Sequence, residues 1–200
     1  MSHYYTDNKD LSSNKKHFTY YFDNEVFEFA TDNGVFSKKT LDYGSYLLIK
    51  NVYKSNLGKM VLDLGCGWGP VGIILKRFNQ DIDVVAVDVN SRAIELAQEN
   101  ADLNKVETKT YLCEDIESLN IKFDSVILNP PIRAGKKIIY NLYQKSFNVL
   151  NDGGILAIVI QKKQGAESSL TELKQIFKNV SILEKDSGYY VIQAIKQTTH

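Results

Sequence analysis

Two hundred residues, 44% of them hydrophobic and 24% charged, suit one ordinary globular domain and exclude a disordered chain. Lys plus Arg number 24 and Asp plus Glu number 24, so wholesale electrostatic capture of nucleic acid is excluded while a local basic patch is not. The longest apolar run, Ile155 to Ile160, is far too short to span a bilayer.

The polar opening, MSHYYTDNKDLSSNKK, has no apolar segment ahead of a small-residue cleavage site, so no signal peptide is expected. His17 to Phe22 and Val26 to Thr31 are aromatic and β-branched and predict a short hairpin turning at Asp23-Asn24-Glu25. Gly34-Val35-Phe36-Ser37 reads as a loop, and Asp42 starts an amphipathic helix to about Tyr53. From Lys59 strands and helices alternate. Met60 to Leu64 is a buried strand, followed by Gly65-Cys66-Gly67-Trp68-Gly69 and a helix from Pro70 to about Phe78, with proline at the first helical position, where its missing N–H costs nothing. Asp83 to Val87 is the second strand of this region, ending at Asp88, and Ser91 is placed as the cap of a helix to about Leu103, with Glu95 one residue beyond capping-box spacing. Lys109 to Leu112 ends at Cys113-Glu114-Asp115, and Phe123 to Leu128 ends at Asn129-Pro130-Pro131. A helix over Lys137 to Leu150, a strand over Gly154 to Ile160, a helix over Glu167 to Phe177, and strands Val180 to Glu184 and Tyr189 to Ile195 complete the chain. The predicted fold is α/β: a Rossmann-like, mostly parallel sheet with an antiparallel C-terminal edge hairpin and a short N-terminal β-hairpin extension. Residues 1–57 are expected to form that extension, packing on a core domain of residues 58–200.

Ligands of an open parallel sheet bind outside the carboxyl ends of its strands, which makes Asp63 to Gly69, Asp88-Val89, Glu114-Asp115 and Asn129 to Pro131 the informative positions. Gly67-Trp68-Gly69-Pro70-Val71-Gly72 matches a GxGxxG pattern; it is read as a nucleoside-cofactor loop, with close helix–sheet packing at Gly72 as the alternative. Asp88, 16 residues past Gly72, suits ribose hydroxyls. Asp63 is costly to bury unpaired and is expected to hold loop amides or to sit near a positive cofactor centre. After Val126-Ile127-Leu128, two prolines remove backbone donors and fix an extended turn. Its carbonyls and the Asn129 amide oxygen form an acceptor pair suited to an sp² amine, which hydride transfer does not need. Cys66 and Cys113 lack CxxC spacing and read as reduced thiols; His3, His17 and His200 share no ligand spacing, so no metal site is expected.

On Asp63 to Gly69, Asp88, Asp115 and Asn129-Pro130-Pro131, the stretch from Lys59 to Ile195 resembles class I S-adenosylmethionine-dependent methyltransferases. Gly34-Val35-Phe36-Ser37, Leu41-Asp42-Tyr43-Gly44-Ser45 and Asn129 to Lys136 are similar, more narrowly, to the bacterial family that methylates guanine N2 in 16S ribosomal RNA. The resemblance implies S-adenosylmethionine as cofactor, held by Asp63, Gly65, Cys66, Gly67, Trp68 and Gly69 at its methionine end, by Asp88 and Val89 at the ribose, and by Glu114 and Asp115 at the adenine. Asn129, also a cofactor contact, and Pro130 are implied as catalytic residues, and Phe36, Pro131, Ile132, Arg133 and Lys136 as substrate contacts. Long members carry a second, degenerate domain, so this chain corresponds to the catalytic half. The residue after the two prolines is usually aromatic in the family; here it is Ile132, and Phe36 becomes the candidate for stacking on the target base. Lys38-Lys39, Lys162-Lys163 and Lys145 extend the expected RNA-contacting patch. The implied partner is ribosomal RNA or the small subunit, bound by a cytoplasmic monomer without metal or membrane. Adenine-N6 methylation, protein glutamine methylation and, from a different class, nicotinamide-dependent oxidoreduction or non-catalytic nucleotide binding are the competing readings.

Overall fold

The computed structural model describes residues 12–35 and 40–197. β1 (Lys16–Phe22) and β2 (Glu25–Thr31) form a separate two-stranded antiparallel sheet. Phe22 pairs with Glu25, so the turn is the two residues Asp23 and Asn24, with φ of 44° and 66°. Two successive left-handed residues match the twist of the flanking strands, and Asp and Asn tolerate that conformation; Glu25 therefore joins the strand rather than the turn expected from sequence.

The remaining elements follow the predicted alternation: α1 (Tyr43–Val52), β3 (Met60–Leu64), α2 (Pro70–Phe78), β4 (Asp83–Asp88), α3 (Ser91–Leu103), β5 (Thr108–Leu112), β6 (Phe123–Leu128), α4 (Lys136–Val149), β7 (Leu150–Gln161), α5 (Ala166–Ile176), β8 (Asn179–Asp186) and β9 (Tyr189–Ile195). Seven strands make one sheet in the order β5-β4-β3-β6-β7-β9-β8. β3 is parallel to both β4 and β6, and only β9 runs antiparallel to its neighbours β7 and β8. The chain thus winds outward from β3 through β5 and then returns to start again at β6. The strand order reverses between β3 and β6, and their carboxyl ends flank a topological switch point.

Alternation along the central strands sends side chains to two apolar layers. Val61, Ile127, Ala157, Val159 and Val191 face α1, α2, α3 and the hairpin. Leu62, Val126, Leu156, Ile158 and Ile192 face α4 and α5. The hairpin and α1 thereby share one core layer with the sheet.

Two asparagines one helical turn apart, Asn100 on α3 and Asn104 at its C-terminal cap, attach the hairpin by its open edge. Asn100 Oδ1 accepts from Ala30 N at 2.6 Å and its Nδ2 donates to Ala30 O at 2.9 Å; Asn104 repeats the pattern on Glu28 at 3.0 and 2.7 Å. Each amide imitates the backbone of a neighbouring strand, so β2 buries its edge without leaving groups unpaired. Asn100 Nδ2 also donates to Trp68 O at 2.7 Å, joining the hairpin to the glycine-rich loop.

Boundaries shift where local chemistry outweighs pattern. The cap of α3 is Asn90, not Ser91: Asn90 has extended backbone and accepts from Arg92 N at 3.1 Å, while Ser91 is already helical. β7 begins at Leu150 rather than Gly154, through an irregular register opposite Phe123 to Ser125. β8 reaches Asp186 across a bulge between Ile182 and Glu184, leaving Ser187-Gly188 as another two-residue turn with positive φ. Among the described residues no helix is long and apolar enough to cross a membrane.

Candidate active site at the strand ends

A cavity of about 550 Å³ opens over the switch point, bordered by the ends of β3, β4, β5 and β6. Its floor is the glycine loop. Gly65 and Cys66 both donate their N–H to Val87 O at 2.9 Å, and Gly67 N donates to Asp88 Oδ2 at 2.9 Å. Gly65 and Gly67 have φ of 71° and 56° with nothing within 4 Å of where a Cβ would stand, so they form an open cradle. Gly72 differs: a Cβ there would meet Val84 Cγ1 at 2.9 Å. Its role is close helix–sheet packing, the alternative that the GxGxxG spacing left open.

Asp63 is buried, and its Oδ2 accepts from Gly72 N at 2.8 Å. Burial pushes its pKa to about 7, opposed by the Gly72 N–H and reinforced by the charge of Asp88. Asp88, at the cavity wall, is raised by burial against the Gly67, Asn90 and Val89 amides that favour its ionised form. Its oxygens accept from Gly67 N and from Asn90 N at 3.0 Å, and the carboxylate retains acceptor capacity for a hydroxyl. Val89, Cys113 and Glu114 also line the cavity. The Cys66 thiol is pushed well up by burial, consistent with an inert filler in a crowded turn.

Two predicted contacts, Asp115 and Gly69, do not line the cavity, and a third, Trp68, lines it only in part. Asp115 pairs with Lys145, which lines the cavity, at 2.9 Å and caps a short 3-10 turn over Ile116–Leu119, so its carboxylate is engaged by protein partners while its neighbours Glu114 and Ile116 form the cavity wall. The Lys145 hydrogen bond, foremost, keeps its pKa low. Trp68 contributes to the lining, but its indole packs edge-on against Phe29 at 4.9 Å and Phe18 at 5.6 Å. Gly69, the αL residue before α2, abuts Ala97. Phe36, Lys38 and Lys39 lie outside the described residues; Val35 and Leu41, on either side, line the cavity.

Asn129 stands at the end of β6 with its Nδ2 donating to Ser45 Oγ at 3.0 Å and to Asp42 Oδ1 at 3.3 Å. Asp42 caps α1, accepting from Ser45 N at 3.0 Å. A carboxylate only accepts, so the amide must turn its NH2 toward α1 and its Oδ1 away; Oδ1 accepts no bond from the described residues. Pro131 O closes the turn over Ile132–Ala134, accepting from Ala134 N at 2.9 Å, whereas the Pro130 carbonyl has no backbone partner among the described residues. Two adjacent residues therefore carry acceptors without protein partners among the described residues, and one of them, Asn129 Oδ1, is oriented by α1. Sequence reasoning named Asn129 and Pro130 but missed Asp42 and Ser45 as the groups that orient the amide; the signals were an Asp positioned to start a helix and the resemblance of Leu41 to Ser45 to the rRNA methyltransferase pattern, neither of which links the stretch to Asn129.

Pro131, Ile132 and Arg133 line the cavity. Lys136 and Lys137 stand outside it on the exposed first turn of α4, which has no acidic residue and no side-chain cap. Lys162 and Lys163 are exposed just after β7, and Lys136 Cε comes within 3.9 Å of a Cβ built on Gly165, so the two lysine pairs adjoin. None of the four forms an ion pair among the described residues, whereas Lys145 is held by Asp115.

A family model for the methyltransferase small domain matches residues 26–193. The chain belongs to the methyltransferase small domain family. The methyltransferase is 42% identical over 198 residues to the uncharacterized protein YbxB of Bacillus subtilis, covering 97% of this chain and 98% of that protein. It is 31% identical to ribosomal RNA small subunit methyltransferase C of Haemophilus influenzae, across 82% of this chain and 49% of the relative, so it spans about half the length of that protein. Its fold matches the T. thermophilus 16S rRNA N2 G1207 methyltransferase, solved with AdoMet and guanosine, at a TM-score of 0.83, 24% identity and coverage of 94% and 52% of the two chains. The methyltransferase is of the class I, S-adenosylmethionine-dependent type. Its residues fit that cofactor: the cavity has the volume of a nucleoside site, Gly65 and Gly67 leave room against the backbone, Asp88 has lone pairs for ribose, and Asp63 supplies a buried acid beneath the loop.

Proposed function

We propose that this chain transfers a methyl group from S-adenosylmethionine to the exocyclic N2 amine of a guanine in 16S ribosomal RNA. The observation that carries the reading is the acceptor pair, Asn129 Oδ1 and the Pro130 carbonyl, with the amide orientation held by Asp42 and Ser45. When bound, the cofactor supplies an electrophilic methyl group on a sulfonium. The lone pair of an aryl amine is delocalised into its ring; two acceptors that take its two hydrogens draw that lone pair out of the ring plane toward the methyl group. The contribution of the chain is positioning and electrostatics. No strong base is required of it, since the methylated nitrogen is acidic enough to release its proton to water. A base must leave its stack to reach Asn129. The relatives named for ribosomal RNA favour this target over the glutamine amide or adenine amine that the same acceptor pair could hold.

The reading is tested with labelled cofactor and separately purified small- and large-subunit RNA, whole subunits, tRNA and total protein from cells lacking the enzyme, with digestion of the labelled product. N2-methylguanosine from small-subunit RNA is the expected product. Label in N6-methyladenosine or in protein overturns the target, and label in no fraction overturns the activity.

The lysines at the start of α4 support a phosphate-contacting rim, because cations at the positive end of a helix oppose its dipole and each costs about 0.3–1 kcal/mol. Lys136→Glu with Lys137→Glu is therefore expected to act in two opposite directions. The melting temperature should rise by a few degrees, while RNA affinity falls and the slope of log affinity against log salt drops by roughly 1 per lost phosphate contact. Salt titration of RNA binding, beside a thermal melt, reads both effects; unchanged RNA affinity removes the rim from the account.

A further inference from the structure

Glycine weakens a helix relative to alanine, because its backbone loses more freedom on folding, yet α1 carries one in its first turn, Gly44. Gly44 has ordinary helical backbone rather than a left-handed conformation, so the reason for it is steric. A Cβ there would stand 3.1 Å from Asp42 Oδ1 and 3.1 Å from Tyr189 Cε1, closer than carbon ordinarily packs. The oxygen concerned is the one that accepts from Asn129 Nδ2 at 3.3 Å and from Ser45 N at 3.0 Å. Position 44 thus abuts both an aromatic ring of β9 and the carboxylate that orients the Asn129 amide.

Neither neighbour is free to give way. Asp42 is held by Ser45 and Asn129. Tyr189 sits in β9 between two paired strands, with Gln161 of β7 and Asp186 of β8 as its direct partners, and it packs on the apolar layer shared with α1. Tyr43 meets its ring at 5.6 Å and 61°, and the Tyr43 hydroxyl donates to Asp186. The far end of α1 is tied to the same strand: Lys50 Nζ and Asn51 Nδ2 both donate to Glu184, at 3.0 and 2.6 Å. Glu184 and Asp186 are alternate residues of β8 and leave the sheet on one face. The C-terminal hairpin therefore fixes α1 at both ends, and Tyr189 is the wall against which the cap of the helix is set.

We infer that Gly44 and Tyr189 are positioning residues for Asn129: the ring, in contact across a position without a side chain, sets Asp42 Oδ1 where it fixes the direction of the amide. The inference rests on the acceptor role proposed for Asn129 above. Ser45 cannot supply that direction, because a hydroxyl both donates and accepts and tolerates either end of an amide. Asp42 only accepts and demands the NH2 end. Its bond to Asn129, at 3.3 Å, is already long for an N–H···O contact, so a displacement of a few tenths of an ångström breaks it. The amide then turns over, and its NH2 rather than its Oδ1 faces the reacting amine for part of the time.

Gly44→Ala is expected to lower kcat by roughly 10-fold, the displacement being a few tenths of an ångström, while affinity for S-adenosylhomocysteine stays close to that of the wild type. Double-mutant cycles separate positioning from packing. In an Asn129→Ala background the same exchange should cost nothing further, since no amide is left to orient, whereas damage to packing would persist there. In a Tyr189→Leu background, where the atom at Cε1 is gone, the alanine should cost no more than about twofold. Tyr189→Leu by itself should lower kcat when Asn129 is present and leave it unchanged in Asn129→Ala; a contact between the ring and the substrate would instead survive the loss of Asn129. Single-turnover rates at saturating labelled cofactor, on the fraction that accepts label from the wild type, read every one of these. If no fraction accepts label, or Asn129→Ala keeps wild-type turnover, the function proposed above falls and this inference with it. If Asn129→Ala is slow but Gly44→Ala turns over like the wild type, or loses the same factor in both Asn129 backgrounds, the positioning role alone is overturned. A Gly44→Ala protein that has lost cofactor affinity has misfolded, and Tyr189→Leu with and without Asn129 then decides.

Discussion

Asn129→Ala should lower kcat by on the order of 10³-fold, as removal of a preorganised polar group at a reacting centre does, with affinity for S-adenosylhomocysteine changed no more than a few-fold. The amide is held from outside the cofactor loop, by Ser45 Oγ and Asp42 Oδ1 at the start of α1, so its loss leaves the glycine cradle intact. Asp42 and Ser45 make the assignment sharper. Asn129→Asp keeps acceptor oxygens but sets a second carboxylate against Asp42, and should be nearly as damaging as alanine. Adding Asp42→Asn restores a donor facing an acceptor, keeps a good helix cap, and should recover at least part of the lost kcat. Single-turnover kinetics on the three variants and the wild type, with cofactor titrations, separates turnover from binding. Loss of cofactor affinity in Asn129→Ala with full turnover per bound enzyme would show the residue to be a binding group only.

The pH dependence of stability should be dominated by Asp63. Its pKa in the fold, about 7, lies above the ordinary carboxylate value of 3.8, so between those limits the folded protein binds the extra proton. Stability of the cofactor-free protein must then fall as pH rises from about 4 through about 7, and level off above. Holding Asp63 ionised at pH 8 costs the fold about 4 kcal/mol, and Asp88, also raised by burial, contributes with the same sign. Asp63→Asn keeps an acceptor for the Gly72 N–H and should flatten most of this slope, leaving the variant more stable than wild type at pH 8. The same exchange should weaken binding of the cationic S-adenosylmethionine more than that of S-adenosylhomocysteine, which lacks the sulfonium charge. Denaturant melts from pH 4 to pH 9 test the linkage; a wild-type profile that is flat, or rises, refutes it.

Much of this architecture is legible in the sequence because the central parallel strands are short apolar runs stopped by residues that do not continue them: the glycines after Asp63-Leu64, Asp88, and Asn129 before two prolines. Burial on both faces makes the runs, and the carboxyl ends of parallel strands are where ligands gather, so local pattern and function coincide there. Asp115 follows the half-exposed edge strand β5, and its partner, Lys145, comes from α4, 30 residues on, and engages the carboxylate. The same holds for gains. No local pattern relates Asp42 to Asn129, 87 residues apart, or sets Gln161 beside Tyr189; those pairs exist only once β6, β7 and β9 lie side by side under α1. At α3 the error was one of backbone, since Ser91 and Asn90 are both good caps and the extended φ of Asn90 decides between them.

The Asn100 side chain touches three segments at once: its own helix, the backbone of β2 at Ala30, and the Trp68 carbonyl of the glycine loop. Local unfolding proceeds in cooperative units rather than bond by bond, and a shared buried amide places all three segments in one such unit. Fraying of the N-terminal hairpin, whose strands are remote from the reacting atoms, is thereby transmitted to the peptide units that cradle the cofactor. With the hairpin docked, the loop is ordered before its ligand arrives; with it undocked, the ligand must supply that order from its own binding energy. Docking of the hairpin is thus expected to favour cofactor binding through entropy, although no residue of β1 or β2 lines the cavity.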